Sequence, residues 1–500
     1  MRGIPSLITD IRKKVFAEVA RMAYSGDYTE MEDIPYRIVP GESPLHRESV
    51  FLERAIAGER VRLAMGLSLR PIQTRHLMTE GMDQAAIAEQ YYEPPLVNII
   101  PYACHACPTK QYFVTQMCHG CLAASCQRVC PRGAIRFENG RSIIDRDKCI
   151  KCGRCEKACP YHAIIYMERP CQAACGMDAI GVDENGKAVI DHDRCVSCGQ
   201  CLVSCPFGAI SDKSQIYQVI RSIQTGSRVV AIVAPSFVGQ FGPGVTIPQF
   251  VAAMKELGFF HVAEVAIGAD ICAVEEARDY VEKVPEQQRF MATSCCPAWR
   301  IMARRLFPEE AGNISMTYTP MVYTARLMKK EYPDCKVVFV GPCAAKKLEA
   351  MQEDIRSDVD FVLTYEELMG IFESRDIDLT AMPDGEDLQE STRLGRGFAV
   401  AGGVAGAVEA IIRKEHPEAE IRTQRADGLR ECRKLLMLAR AGKLDGYLLE
   451  GMACPGGCVS GAGTVVSSET AAKMLGKHMN EAALTLPVES PYGELAPKLD

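Results

Sequence analysis

Apolar residues recur at helical spacing in two early stretches, roughly 5–25 and 48–68. The first carries Ile8, Ile11, Val15, Phe16 and Val19; the second carries Phe51, Leu52, Ile56, Val61 and Leu63. Pro40-Gly41-Glu42-Ser43-Pro44 separates them and Glu93-Pro94-Pro95 closes the region, so residues 1–100 read as a helical N-terminal segment packed on the next domain. From about 228 the texture changes to short apolar runs at 229–235, 336–342 and 445–450, the first two ending in Gly or Pro. Helix-spaced stretches at 248–257, 275–283 and 407–414 lie between them. Strands alternating with helices predict an α/β domain over 220–500 built on a buried, mainly parallel sheet.

Between these regions, residues 101–215 are dominated by cysteine. Sixteen of the chain's 24 lie there, on a duplicated unit. Ile144-Asp145-Arg146-Asp147-Lys148-Cys149-x2-Cys152-Gly153-x-Cys155 returns 46 residues later as Ile190-Asp191-His192-Asp193-Arg194-Cys195-x2-Cys198-Gly199-x-Cys201. Both copies run on to Cys-Pro and an aromatic, at Cys159 and Cys205. Cys126 and Cys130 return as Cys171 and Cys175. The spacing Cys-x2-Cys-x2-Cys-x3-Cys-Pro is that of two-cluster ferredoxins, in which the cysteine before proline serves the neighbouring cube. One [4Fe-4S] cluster then takes Cys118, Cys121, Cys126 and Cys159, and its neighbour Cys149, Cys152, Cys155 and Cys130. The second copy has Ala163 and Tyr166 where Cys118 and Cys121 are needed, but Cys104-x2-Cys107 lies upstream with the missing spacing. Adding it gives Cys104, Cys107, Cys171 and Cys205 for a third cube, and Cys195, Cys198, Cys201 and Cys175 for a fourth. A structural zinc site, or an unused pair, is the alternative for Cys104 and Cys107. His105 and His119 read as bystanders, since the thiol count already closes.

Charge and composition narrow the partners. A net charge of −7 gives no electrostatic footprint for nucleic acid. The opening Met1-Arg2-Gly3-Ile4-Pro5 leads to charged Asp10-Ile11-Arg12-Lys13-Lys14 without the apolar run of a secretory leader. No stretch approaches the ~18 apolar residues of a membrane span. A cytoplasmic location is expected, where cysteines spaced like these bind metal rather than form disulfides.

Three further motifs carry the chemistry of the last region: Thr293-Ser294-Cys295-Cys296-Pro297-Ala298-Trp299, Gly341-Pro342-Cys343-Ala344-Ala345-Lys346-Lys347, and Glu450-Gly451-Met452-Ala453-Cys454-Pro455-Gly456-Gly457-Cys458. Each sits on a Gly- or Pro-marked turn, and the strand-linked ones fall where open α/β sheets place ligands. In this order they resemble the signature segments of the iron-only ([FeFe]) hydrogenases. The resemblance implies a two-lobed α/β catalytic domain. In it Cys296, Cys343, Cys454 and Cys458 hold a [4Fe-4S] cube, and Cys458 bridges to a diiron unit with CO, CN⁻ and dithiolate ligands. It further implies Cys295 as a proton-carrying thiol, Lys346 and the Pro235-Ser236 segment as contacts to cyanide, Met452 packed over the diiron unit, and Glu276, Asp279 and Ser315 as a proton relay. Lys347 reads as a surface residue, and Gly402-Gly403-x2-Gly406 as close helix packing rather than a nucleotide loop. Cys272, Cys335 and Cys432 read as buried free thiols. Gly341, Met321 and Gly461-Ala462-Gly463-Thr464-Val465 depart from the family pattern, as in a less studied branch.

The implied reaction is 2H⁺ + 2e⁻ ⇌ H₂. Its potential falls about 59 mV per pH unit, to about −410 mV at pH 7, which ferredoxin-type clusters reach. H₂ and protons are the expected substrates. With no flavin or NAD motif, a ferredoxin, a flavodoxin or a separate redox subunit is the expected electron partner, and maturation enzymes the source of the diiron unit. The rival readings are a hydrogen-sensing regulator and a hydrogenase-like Fe–S assembly or electron-transfer protein.

Overall fold

The first helix-spaced stretch becomes the helix Leu7–Ser25, started by the Ser6 hydroxyl accepting from the Thr9 N–H and stopped by left-handed Gly26. The second becomes Val50–Ala64, capped by Ser49. The structure, a computed structural model, describes residues 4, 6–87 and 93–499. Residues 1–3 and 5, part of the opening read for a leader and the start of the first stretch, lie outside the described residues. Among the described residues no helix is long and apolar enough to cross a membrane. The two N-terminal helices pack on each other and then reach different partners: Val50–Ala64 touches the cysteine-rich region at strand Ile210–Asp212, and Leu7–Ser25 packs on Tyr365–Ser374 and Ile216–Gln224, much further along the chain. Gly370 permits that approach, because a Cβ there would stand 2.4 Å from the Phe16 Cβ.

The duplicated unit folds twice. Ile135–Glu138 pairs antiparallel with Arg141–Ile144, and its copy Ile180–Val182 with Ala188–Ile190. Gln111–Val114 pairs with Ile164–Met167, and Val97–Ile99 with Ile210–Asp212. Each copy is thus a ferredoxin-like arrangement of short ribbons, too small to hold a large core of its own.

The C-terminal half is α/β with two parallel sheets. One runs His261–Glu264, Val229–Val233, Lys336–Gly341, Phe361–Thr364; the other runs Met291–Ala292, Tyr447–Met452, Arg422–Asp427. The apolar runs at 229–235, 336–342 and 445–450 supply central strands, as continuous burial requires. The polar strand Arg422–Asp427 carries no such run because it is an edge with largely exposed side chains. The expected helix at 275–283 is only the second half of Ala266–Lys283; its first half, Ala266–Val274, is buried all round and so shows no amphipathic period.

Candidate metal centres

The carboxyl ends of four parallel strands converge on one cavity. Pro235 follows the first strand, Cys295 and Cys296 the Met291–Ala292 strand, Pro342 and Cys343 the Lys336–Gly341 strand, and Ala453 and Cys454 the Tyr447–Met452 strand. Cys458 closes the ring, and Lys346, Met452 and Met321 also line it. The walls are otherwise apolar. Burial pushes the Cys343 thiol up to about 11, the neighbouring Cys296 adds to this, and Lys346 partly offsets it. Burial likewise raises Cys454, together with Cys343, Cys296, Cys458 and Cys198. Four apposed thiols in an apolar pocket are the donor set of an iron–sulfur cube.

The departures from the family pattern shape this wall. A Cβ on Gly341 would lie 2.5 Å from the Phe339 ring, so the aromatic at the strand's end fills the space beside Ala234. Gly451 is equally constrained, with Trp299 2.2 Å from where its Cβ would be.

Cys295 borders the cavity and its backbone precedes Cys296 directly. Burial raises its thiol well above the ordinary value, and Glu276 is the next cause. Glu276 is fully buried. Its Oε1 accepts from the Ser294 N–H at 3.0 Å and the Ser294 hydroxyl at 3.3 Å, while Oε2 has no partner among the described residues. Burial raises this carboxyl to about 7, opposed by the Ser294 hydrogen bonds and by the nearby Ser315 hydroxyl. Cys295, Glu276 and Ser315 are therefore neighbours. Asp279, one helical turn on, is half-buried and paired with Lys283 at 2.7 Å. Ser236 is buried, but its hydroxyl is engaged with the Tyr365 hydroxyl at 2.8 Å; Pro235 rather than Ser236 lines the cavity.

Lys346 is held at the cavity wall by the Thr319 hydroxyl at 3.0 Å, the Glu349 carboxylate and the Cys295 carbonyl at 3.4 Å. Lys347 corrects the sequence expectation. It is fully buried, paired with Asp212 at 2.8 Å and Glu367 at 2.7 Å. Arg12 of the first helix joins the same network through Asp212 and Glu366. A run of two lysines carries no sign that both point inward. The Gly402-Gly403-x2-Gly406 segment starts the helix Gly403–Glu415, whose N–H groups at Gly402 and Ala405 are taken by buried Glu450. Cys272, Cys335 and Cys432 are buried and free.

In the cysteine-rich region the two copies repeat atomic detail. Cys130, Cys159, Cys175 and Cys205 each accept an N–H from the alanine four residues on, at 3.3–3.4 Å. In each turn the residue before that alanine is left-handed: Gly133, His162, Asp178, Gly208. Cys118 accepts from the Ser142 N–H at 3.5 Å, and Cys104 accepts from Ala188, 46 residues beyond Ser142, at 3.4 Å. His119 packs on Tyr161, and His105 stacks on Phe207 at 4.0 Å. Cys104-x2-Cys107 thus occupies in the second copy the place of Cys118-x2-Cys121 in the first. Such N–H···S bonds favour the thiolate that iron binds; at Cys118 they outweigh burial and hold the thiol below its ordinary value. Among the described residues no group of three or more His, Cys, Asp or Glu is placed to hold a single metal ion.

The sets adjoin one another in order. Cys126, Cys130, Cys155 and Cys159 share one small core. Cys149 and Cys107 line a common cavity. Cys104, Cys107, Cys171 and Cys205 line another. Cys201 lies near Cys171, and Cys198 borders the cavity of Cys296, Cys343, Cys454 and Cys458. Gln200, which no spacing rule singles out, donates to the Cys454 sulfur at 3.2 Å.

Fold and site together define an iron–sulfur protein whose ferredoxin-like region abuts a cysteine-lined cavity in an α/β domain. The model for "Iron only hydrogenase large subunit, C-terminal domain" matches residues 227–462, and that for "4Fe-4S binding domain" residues 142–165. The chain is 31% identical over 375 residues to the Periplasmic [Fe] hydrogenase large subunit of Nitratidesulfovibrio vulgaris, covering 65% of this chain and 86% of that one. It is 30% identical over 387 residues to Iron hydrogenase 1 of Clostridium pasteurianum, covering 67% of each. It is also similar to Cytosolic iron-sulfur assembly component 3 of Bos taurus, at 24% over 289 residues, covering 47% of this chain and 60% of that one. The chain belongs to the iron-only hydrogenase family.

Proposed function

We propose that the chain is an [FeFe] hydrogenase catalysing 2H⁺ + 2e⁻ ⇌ H₂. The observation that carries this is the company around the cavity. Cys295 and Lys346 border the same space as Cys296, Cys343, Cys454 and Cys458, yet a cube alone needs neither. When bound there, a [4Fe-4S]-linked diiron unit with CO, CN⁻ and dithiolate ligands supplies the heterolytic hydrogen chemistry. The chain's part is to hold it and to manage protons and charge. Cys296, Cys343, Cys454 and Cys458 are the thiolate anchors. Met452 and Pro235 exclude water, and Lys346, fixed by Thr319 and Glu349, presents a positive wall to anionic ligands. Cys295 holds a proton as a neutral thiol, because burial keeps it from ionising. Glu276, poised at about 7, can exchange that proton in either direction, with Ser315 beside it and Asp279 toward the surface. Ser236 orders this wall through Tyr365 rather than by facing the cavity.

The four cysteine sets of the ferredoxin-like region would hold four [4Fe-4S] clusters as one-electron carriers. The partner is a ferredoxin, a flavodoxin or another redox subunit in a reducing, cytoplasmic and anaerobic setting. Likeness to an iron–sulfur assembly component supports a second reading, in which clusters are bound without hydrogen turnover. Infrared spectroscopy of the chain co-expressed with maturation enzymes separates the two. CO and CN⁻ stretching bands, with turnover lost but bands kept in Cys295→Ala, are expected. A protein carrying its clusters but lacking the bands establishes the second reading.

A further inference from the structure

The two copies of the ferredoxin-like unit differ in one buried charge. Cys171 corresponds to Cys126 at an offset of 45 residues, so Arg169 stands where the first copy has Ala124. Arg169 is only 2% exposed. It donates to the Cys107 carbonyl at 2.6 Å and 3.1 Å and to the Gly186 carbonyl at 2.7 Å. Its Nη1 is buried with no hydrogen-bond partner among the described residues, and no carboxylate is paired with it there. The side chain lines the cavity walled by Cys104, Cys107, Cys171 and Cys205. A carbonyl tie alone would not account for a guanidinium nitrogen left desolvated and unanswered, since a buried charge is costly unless it is countered.

A second cation stands on the other side. Arg60, 8% exposed, donates to the carbonyl of Gly208, the left-handed residue of the Cys205 turn, at 2.8 Å. The charged groups nearest it are Arg12, Arg47 and Cys205, two like charges and one thiol. Two buried guanidiniums thus flank one four-cysteine set, and among the described residues neither has a carboxylate paired with it. A cube held by four thiolates is anionic, and its countercharge is what both lack.

We propose that Arg169 and Arg60 are built-in countercharges that raise the reduction potential of the cube held by Cys104, Cys107, Cys171 and Cys205 above that of its pseudo-equivalent at Cys118, Cys121, Cys126 and Cys159. This rests on the proposed four-cluster array. Net charge around a cluster is among the determinants of its potential, and positive charge favours the reduced form. The set so tuned lies between the others, sharing one cavity with Cys149 and lying beside Cys201 through Cys171. Of the two sister sets it is the one that holds an electron more readily.

The test is a redox titration followed by electron paramagnetic resonance on the full, cluster-loaded chain, comparing Arg169→Met, Arg169→Lys and Arg60→Met with the unaltered protein. The couple to follow is the one missing from a Cys104→Ser/Cys107→Ser double variant. In Arg169→Met that couple should move to more negative potential by at least tenfold in the oxidised-to-reduced ratio, about 59 mV for one electron, with the other couples unmoved. Arg169→Lys, which keeps the charge, should move it less. An unmoved couple at unchanged iron content overturns the proposal. If Arg169→Met loses iron, Arg60→Met decides alone, and iron lost from both overturns it by making the cations structural. Unchanged iron content in the cysteine double variant removes the four-cluster reading instead.

Discussion

Glu276 shows how one carboxyl can serve both stability and chemistry. Its folded pKa of about 7 lies above the unfolded carboxyl value of about 4.3. The protonated form is therefore favoured by folding, and that stabilisation is full below about 4.3 and lost as pH rises through about 7. Glu276→Gln is neutral throughout and can still accept from Ser294. Its urea midpoint should therefore gain on the unaltered protein between pH 5 and pH 8, and a constant difference would contradict the assignment. Hydrogen turnover should fall by about 10²–10⁴-fold, the usual worth of a positioned proton donor or acceptor. Gly341 makes a second residue-scale case. Gly341→Ala drives a methyl to 2.5 Å from the Phe339 ring, an overpacking expected to cost about 1–3 kcal/mol, read as a lowered denaturation midpoint. At this scale cysteines were the legible residues, because their spacing encodes their chemistry. Ser236 was not, because nothing in Ala234-Pro235-Ser236 reveals that Tyr365 captures the hydroxyl. Arg169 was hidden in the same way: one arginine among many, singled out only by its burial and by the alanine in the sister copy.

Helices and strands were readable where a short apolar run or a helical period of apolar residues marks them. The central strands Val229–Val233 and Lys336–Gly341 announce themselves as apolar runs. The edge strand Arg422–Asp427 and the fully buried start of Ala266–Lys283 do not. Nor does the short helix Ala345–Glu349, which presents Lys346 to the cavity and sends Lys347 into a buried carboxylate pair. That helix fixes the Cys343 turn to Asp212 at the end of the ferredoxin-like region and to Glu367. Removing the Lys347 charge with Lys347→Met leaves both carboxylates buried beside each other. We expect a loss of about 3–5 kcal/mol in chemical denaturation, with impaired iron incorporation at Cys343. A fall below about 1 kcal/mol would mean the network is dispensable.

Across the whole molecule, the working arrangement depends on how closely the ferredoxin-like region meets the α/β domain, and the glycine beside Cys198 helps set that distance. Gly199, between Cys198 and Gln200, has φ +75°, and a Cβ there would stand 2.4 Å from the Ala462 Cβ and 3.2 Å from the Ala344 Cβ. Duplication supplies Gly153 at the same place in the first copy, also left-handed. There the nearest obstacle is the Tyr112 hydroxyl at 2.8 Å, the far end of a flexible side chain. Gly199→Ala should therefore do what Gly153→Ala does not. Both incur the left-handed penalty of about 1–2 kcal/mol, but only the former must push Cys198 away from Cys343 and Cys454. With iron content equal in the two variants, spin–spin broadening between the adjoining clusters should weaken in Gly199→Ala alone, and dye-linked hydrogen turnover should fall with it. Equal broadening in both would place the contact between the two regions elsewhere.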